Sequence, residues 1–156
     1  MYNNRFKWPA GCLVMLLFMF TSCLKKDLPD YPLWDKSEID NVYVEHRYES
    51  GQIYNGKPVV AYQRLTVASK TVDAATNTIS ITLAVPAANG SFTDAERAKV
   101  SINKLWVYFD ISTAATMKGT NGTPAPGDPA NASKSLTYTV TAANGQQKNW
   151  TLNLKF

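Results

Sequence analysis

From Lys36 to Phe156 apolar side chains recur at every second position, and helical spacing is nearly absent. A two-residue period belongs to strands that turn one face to a core and the other to water. Ile79, Ile81, Leu83 and Val85 alternate with Thr78, Ser80, Thr82 and Ala84, and Pro86, which has no N–H for a ladder, ends the run. Val42, Val44, His46 and Tyr48 share one face of another strand, with Tyr43, Glu45, Arg47 and Glu49 on the other. Val59 to Val67 follows the turn signal Asn55-Gly56-Lys57-Pro58, and further strands are expected at Leu105 to Ile111, Leu136 to Ala142 and Trp150 to Phe156. Two stretches depart from the pattern. Thr93-Asp94-Ala95-Glu96 has the spacing of a capping box and predicts a helix of about two turns. Residues 113–134, rich in Gly, Pro, Asn and Thr, predict a long loop. Six or seven short strands with turns between them predict an all-β fold. The expected architecture is a single antiparallel β-sandwich over residues 37–156 with one short helical insertion.

The first residues follow a different rule. Arg5 and Lys7 precede an apolar run from Gly11 to Ser22, which is shorter than the roughly 20 apolar residues that cross a bilayer as a helix. The run ends in Phe20-Thr21-Ser22-Cys23, then turns polar at Lys25-Lys26-Asp27. This order resembles a bacterial lipoprotein signal peptide with its lipobox, except that Phe20 stands where Leu is usual. The resemblance implies removal of residues 1–22, acylation of Cys23 and anchorage to a membrane. It implies the outer membrane more than the inner, because Leu24 is not an inner-membrane retention signal. Which side of that membrane is occupied stays open. Cys12 would leave with the signal peptide and lipidation would consume Cys23, so the mature chain is expected to hold neither a free thiol nor a disulfide. Residues 23–36 then form the attachment point and a linker, stiffened by Pro29 and Pro32, with a reach of about 40 Å. Tyr31, Leu33 and Trp34 are apolar for a free tether and are expected to dock on the domain or to touch a partner.

Near the C-terminus, Tyr138-Thr139-Val140-Thr141-Ala142-Ala143-Asn144-Gly145 is followed by Lys148-Asn149-Trp150-Thr151-Leu152. This resembles the closing hairpin of bacterial immunoglobulin-like lipoprotein domains, and Asp110 to Thr116 and Thr78 to Leu83 resemble earlier segments of them. The resemblance extends over roughly Thr66 to Phe156. It implies an immunoglobulin-like cell-envelope lipoprotein of a kind often encoded beside Sus-type glycan-uptake systems. It marks a hairpin and its core rather than a functional site. The insertion at residues 89–104 departs from the pattern.

The inventory of reactive groups is short. His46 is the one histidine, and its place beside Val42 and Val44 reads as a strand residue rather than a ligand or base. No HExxH, CxxC, Walker or GxGxxG pattern occurs, and neither a cofactor nor a metal is expected. Calcium on Asp128 or on the carbonyls of the 119–131 loop lacks EF-hand spacing. The formal charge of +4 falls to +2 once Arg5 and Lys7 are removed, and the basic residues are scattered, so nucleic acid is excluded as a partner. Asp94, Glu96, Asp110 and Asp128 are the carboxylates a glycosidase would draw on, each with an ordinary role beside a loop or cap.

The binding candidates are aromatic. With Leu105, Val107, Phe109 and Ile111 in the core, Trp106, Tyr108 and Asp110 turn to the opposite face. Side chains two apart on a strand stand about 7 Å from each other, a spacing on which sugar rings or a peptide stack. The plainer reading is that a neighbouring loop, or the linker with Trp34, covers them. Trp34 and Tyr54, with Tyr31, are secondary candidates. The expected function is a non-catalytic, lipid-anchored binding or accessory module whose partner is a glycan or a transporter assembly. The alternatives are a structural or adhesive, pilus-like module that binds other proteins and, more remotely, a glycoside hydrolase.

Overall fold

The computed structural model describes residues 32–156, of which Leu33–Phe156 form one compact unit. The signal peptide and Cys23 lie outside the described residues. Nine strands and one helical turn follow in order: β1 (Ile39–Tyr54), β2 (Lys57–Arg64), β3 (Thr66–Asp73), β4 (Thr78–Ala84), α1 (Asp94–Arg97), β5 (Leu105–Ile111), β6 (Thr116–Thr120), β7 (Pro129–Ala130), β8 (Leu136–Thr141) and β9 (Gln147–Lys155). They form a four-stranded sheet in the order β2-β1-β5-β7 and a five-stranded sheet in the order β3-β4-β9-β8-β6.

The alternation seen in the sequence becomes the core of the sandwich. Val42 and Val44 of β1 and Leu105 and Val107 of β5 meet Ile79 and Ile81 of β4, Tyr138 and Val140 of β8 and Leu152 and Leu154 of β9 in one buried cluster. Phe109 meets the Tyr138 ring edge-on at 4.7 Å, and burial pushes the Tyr138 phenol up to about 12. Turn chemistry follows the residues too. Asn55 and Gly56 both take positive φ between β1 and β2, which suits the right-handed twist of a hairpin. Between β8 and β9 only Gly145 does so, and its N–H donates to Ala142 O.

Several expectations are corrected. The strand expected at Val59 to Val67 ends at Arg64. The chain then changes sheets at buried Leu65 and continues as β3, an edge strand exposed along its whole length. The loop expected at residues 113–134 contains β6 and β7. The pairing is not wholly antiparallel, because β4 and β9 run parallel. The helix is a single turn. Thr93 Oγ1 accepts from the Glu96 N–H at 3.3 Å, but the Glu96 carboxylate binds Lys99 at 2.6 Å rather than reaching back to the cap.

The insertion that carries α1 packs on β1 through Phe92. Phe92 is fully buried and lies 5.6 Å from the Tyr48 ring and 6.3 Å from the His46 ring, while His46 stacks on Tyr48 at 5.9 Å. His46 is itself buried and neither ring nitrogen has a hydrogen-bond partner. Burial lowers its pKa; the nearby Glu96 carboxylate opposes the shift, and Lys104 and Lys99 reinforce it. The folded state therefore takes up this proton at lower pH than the unfolded chain does. Stability is full above the unfolded histidine pKa of about 6.5 and is lost as the pH falls below it. His46→Phe is expected to flatten the pH slope of Tm just below about 6.5 and to leave the more acidic slope that carboxylates held below their usual range, such as Asp110, contribute. An unchanged slope, in thermal melts of both proteins from neutral to acidic pH, would assign the acid sensitivity elsewhere.

Candidate binding face

The outward residues of the four-stranded sheet are mainly large or charged, whereas those of the five-stranded sheet are mainly hydroxyls and amides, with Asp73, Lys118 and Lys155 among them. On the latter, Thr137 stands opposite Thr151, Thr139 opposite Asn149 and Ser80 opposite Asn153. On the former, register places Tyr43 opposite Tyr108 and Glu45 opposite Trp106 between β1 and β5. Between β1 and β2 it places Glu45 opposite Arg64 and Arg47 opposite Tyr62. Trp106 and Tyr108 are half-buried and Asp110 is exposed. The three candidates on β5 thus stand together on the face that alternation assigned them.

What surrounds them depends on pairing. The Arg47 guanidinium lies 5.6 Å from the Trp106 ring centre and 5.7 Å from that of Tyr108, and it donates to the Tyr108 hydroxyl. Lys104 Nζ lies 5.7 Å from the Trp106 ring. One strand over, Arg64 covers the Tyr43 ring at 4.6 Å and pairs with the buried Glu45 at 3.3 Å. Rings and cations therefore alternate across three strands, in contacts of the cation–π kind. Asp110 accepts from the Tyr43 hydroxyl and, at 3.1 Å, from Asn41 Nδ2. The Tyr43 bond first, and the Asn41 bond second, hold its carboxyl below the usual range, and the same bond raises Tyr43.

The loop between β6 and β7 covers one side of Tyr108. Gly127 donates to Val107 O at 2.8 Å, and a side-chain carbon at Gly127 would stand 3.2 Å from Tyr108 Cε1. The opposite end of the face is open. Tyr62 is 61% exposed, and Val60, opposite Glu49, is 64% exposed.

The secondary candidates lie elsewhere. Tyr54 stands at the exposed tip of the β1–β2 hairpin. The Trp34 ring is exposed, while its carbonyl accepts from the Asn144 N–H at 3.1 Å at the β8–β9 turn. The linker end thus docks through its backbone. Trp150 Nε1–H donates to Ser37 O at 3.0 Å, Glu38 pairs with Lys148, and Glu38 N–H donates to Ser112 Oγ at 2.9 Å. The sequence placed Tyr43, Arg47 and Glu45 outward but gave no sign that they, with Tyr62 and Arg64, join Trp106 in one surface.

The carboxylates weighed for hydrolysis are spread over different elements. Asp94 binds Arg97 at 3.1 Å and Glu96 binds Lys99, both within α1 and its C-terminal flank. Asp110 is on β5, and Asp128 lies in the β6–β7 loop with its N–H on Ala125 O. No group of three His, Cys, Asp or Glu able to hold a metal occurs among the described residues.

No curated protein matches the chain. Among solved structures, a protein of Bacteroides fragilis NCTC 9343 proposed to be secreted is 36% identical, with 80% of this chain and 98% of that one covered and a TM-score of 0.72. A protein of Bacteroides thetaiotaomicron VPI-5482 proposed to be a glycoside hydrolase is 18% identical over 82% of this chain and 27% of its own, with a TM-score of 0.42, too low to bear on function. The profile of the DUF5018-related family matches residues 39–153, so with this fold and this relative the chain belongs to the DUF5018-related family.

Proposed function

We propose that this protein is a non-catalytic cell-envelope module, lipid-anchored at Cys23, that binds a glycan on the outer face of the β2-β1-β5-β7 sheet. The secreted character proposed for the Bacteroides fragilis relative supports an envelope or extracellular location, and the lipobox-like residues before Cys23 support the anchor. One observation carries the binding reading. Tyr43, Tyr62, Trp106 and Tyr108 share one outward face with interleaved arginines, while the other sheet presents mainly hydroxyls and amides. Ring faces with polar edges suit sugar rings, which have an apolar face and a hydroxylated rim. Trp106→Ala and Tyr108→Ala are each expected to weaken glycan binding about tenfold while Tm stays close to that of the wild type. A glycan array followed by calorimetry on the wild type and both variants checks this. Undiminished binding by the double variant would remove the face as the site.

A second reading, the adhesive or structural module, draws on the sheet edges. β2 and β3 each end a sheet, and Val67 and Val72 of β3 are exposed. Such edges accept a strand from another chain. Addition of a partner strand at β2 or β3, with no glycan bound, would favour it.

A further inference from the structure

We infer that the face selects acidic glycans, uronate-bearing chains in particular, and that Arg47 makes the selection; this rests on the glycan-binding reading above. A platform for neutral sugars leaves its ring faces free. Here the Arg47 guanidinium lies against both Trp106 and Tyr108, and Lys104 approaches Trp106 as well. A neutral sugar would have to push Arg47 off the rings and give up those contacts. A sugar carboxylate would instead meet the guanidinium, whose planar fork matches it with two parallel hydrogen bonds.

The charge balance around Trp106 points the same way. Arg64 is already engaged by Glu45, at 3.3 Å. Among the described residues neither Arg47 nor Lys104 has a carboxylate within ion-pair distance, and both are exposed. Of the acids on this face, Glu45 is buried and Asp110 accepts from Tyr43 and Asn41. Glu49, two residues along β1 and opposite Val60, lines one pocket with Arg47, Glu96 and Lys99 but forms no ion pair with Arg47, and Glu96 is engaged by Lys99. The charges left unbalanced beside the Trp106 ring are therefore positive. A chain carrying one carboxylate per sugar supplies the missing sign and the ring in a single ligand.

The test compares polygalacturonate with its methyl ester, which keeps the sugar backbone and caps the charge. Alginate and chondroitin sulfate serve as further acidic probes, xylan and dextran as neutral ones, and single-stranded DNA as a non-sugar polyanion. Calorimetry on the purified protein is expected to show the acid bound about tenfold or more tighter than the ester. Arg47→Gln is expected to abolish that preference, with acid and ester bound alike and Tm unchanged. Equal binding of acid and ester by the wild type, or a preference that survives Arg47→Gln, would overturn the acidic selection and leave the glycan reading standing. Binding to none of the glycans, acidic or neutral, would overturn both. DNA binding as tight as polygalacturonate binding, and insensitive to Trp106→Ala, would reduce the face to general attraction for polyanions and overturn the inference.

Discussion

Trp150→Ala is expected to cost about 4 kcal/mol of stability and to free the segment that leads into the domain. The indole is 3% exposed and faces Tyr138 across the β8–β9 ladder, so truncation leaves a cavity between the sheets. It also removes the donor to Ser37 O and the ring beneath Lys148, whose partner is Glu38. Core and linker anchor are thus lost together. Trp150→Phe keeps most of the ring and loses the N–H bond, at a cost of about 1–2 kcal/mol beyond the smaller packing loss. Denaturant midpoints at constant m-value measure both changes. A loss below about 1 kcal/mol for the alanine variant would mean that the indole does not hold the closing hairpin in place.

The second large effect is expected at Gly119, from adding a single carbon. Gly119 stands opposite Tyr138 in the β6–β8 ladder, and a side-chain carbon there would lie 2.2 Å from Thr123 O and 2.5 Å from Pro124 O. Both obstacles are backbone and cannot rotate away. The loop is held as well, because Thr123 N–H donates to Thr120 O and Thr123 Oγ1 accepts from Thr137 N–H, both at 2.9 Å. Gly119→Ala is expected to destabilise the domain by about 3 kcal/mol, a fall in Tm of roughly 10 °C. The same loop brings Gly127 against Tyr108, so the variant is also expected to alter the Tyr108 environment. An unchanged Tm would mean that the loop yields to a methyl group on β6 at no cost.

The contrast between strands shows what a sequence of this kind conveys. β4, β5, β8 and β9 are legible because their inward residues are Ile, Leu, Val, Phe, Tyr and Trp at strict two-residue spacing, and a slip by one residue would expose all of them. β3 is not. Thr66-Val67-Ala68-Ser69-Lys70-Thr71-Val72-Asp73 is exposed throughout, and a bulge between Val67 and Ser69 breaks its alternation. Only Leu65, buried where the chain leaves one sheet for the other, marks the division from β2. β6 is hidden by its polarity and by Gly119, whose missing side chain makes room for the loop above it. The parallel pairing of β4 with β9 leaves no local trace, since an inward pattern names a face and not a neighbour.

The candidate site divides in the same way. Alternation alone set Trp106, Tyr108 and Asp110 outward, because their neighbours on β5 fill the core. That Arg47 lies over two of these rings, and that Arg64 and Tyr62 extend the surface, follows from the registers of β1 against β5 and β2. Those registers are set by long-range packing and by irregularities between Ile39 and Asn41 against β5 and between Glu49 and Ile53 against β2, which short-range patterning does not reveal.

NMR chemical-shift mapping during titration with a bound glycan locates the binding face residue by residue. The largest changes are expected on the Trp106 indole N–H and on the outward residues of β1, β2 and β5, with Thr137, Thr139 and Thr151 on the opposite sheet unmoved. Changes centred on the hydroxyl-rich face, or on the hairpin tip at Tyr54 without Trp106, would contradict binding at the Trp106 face.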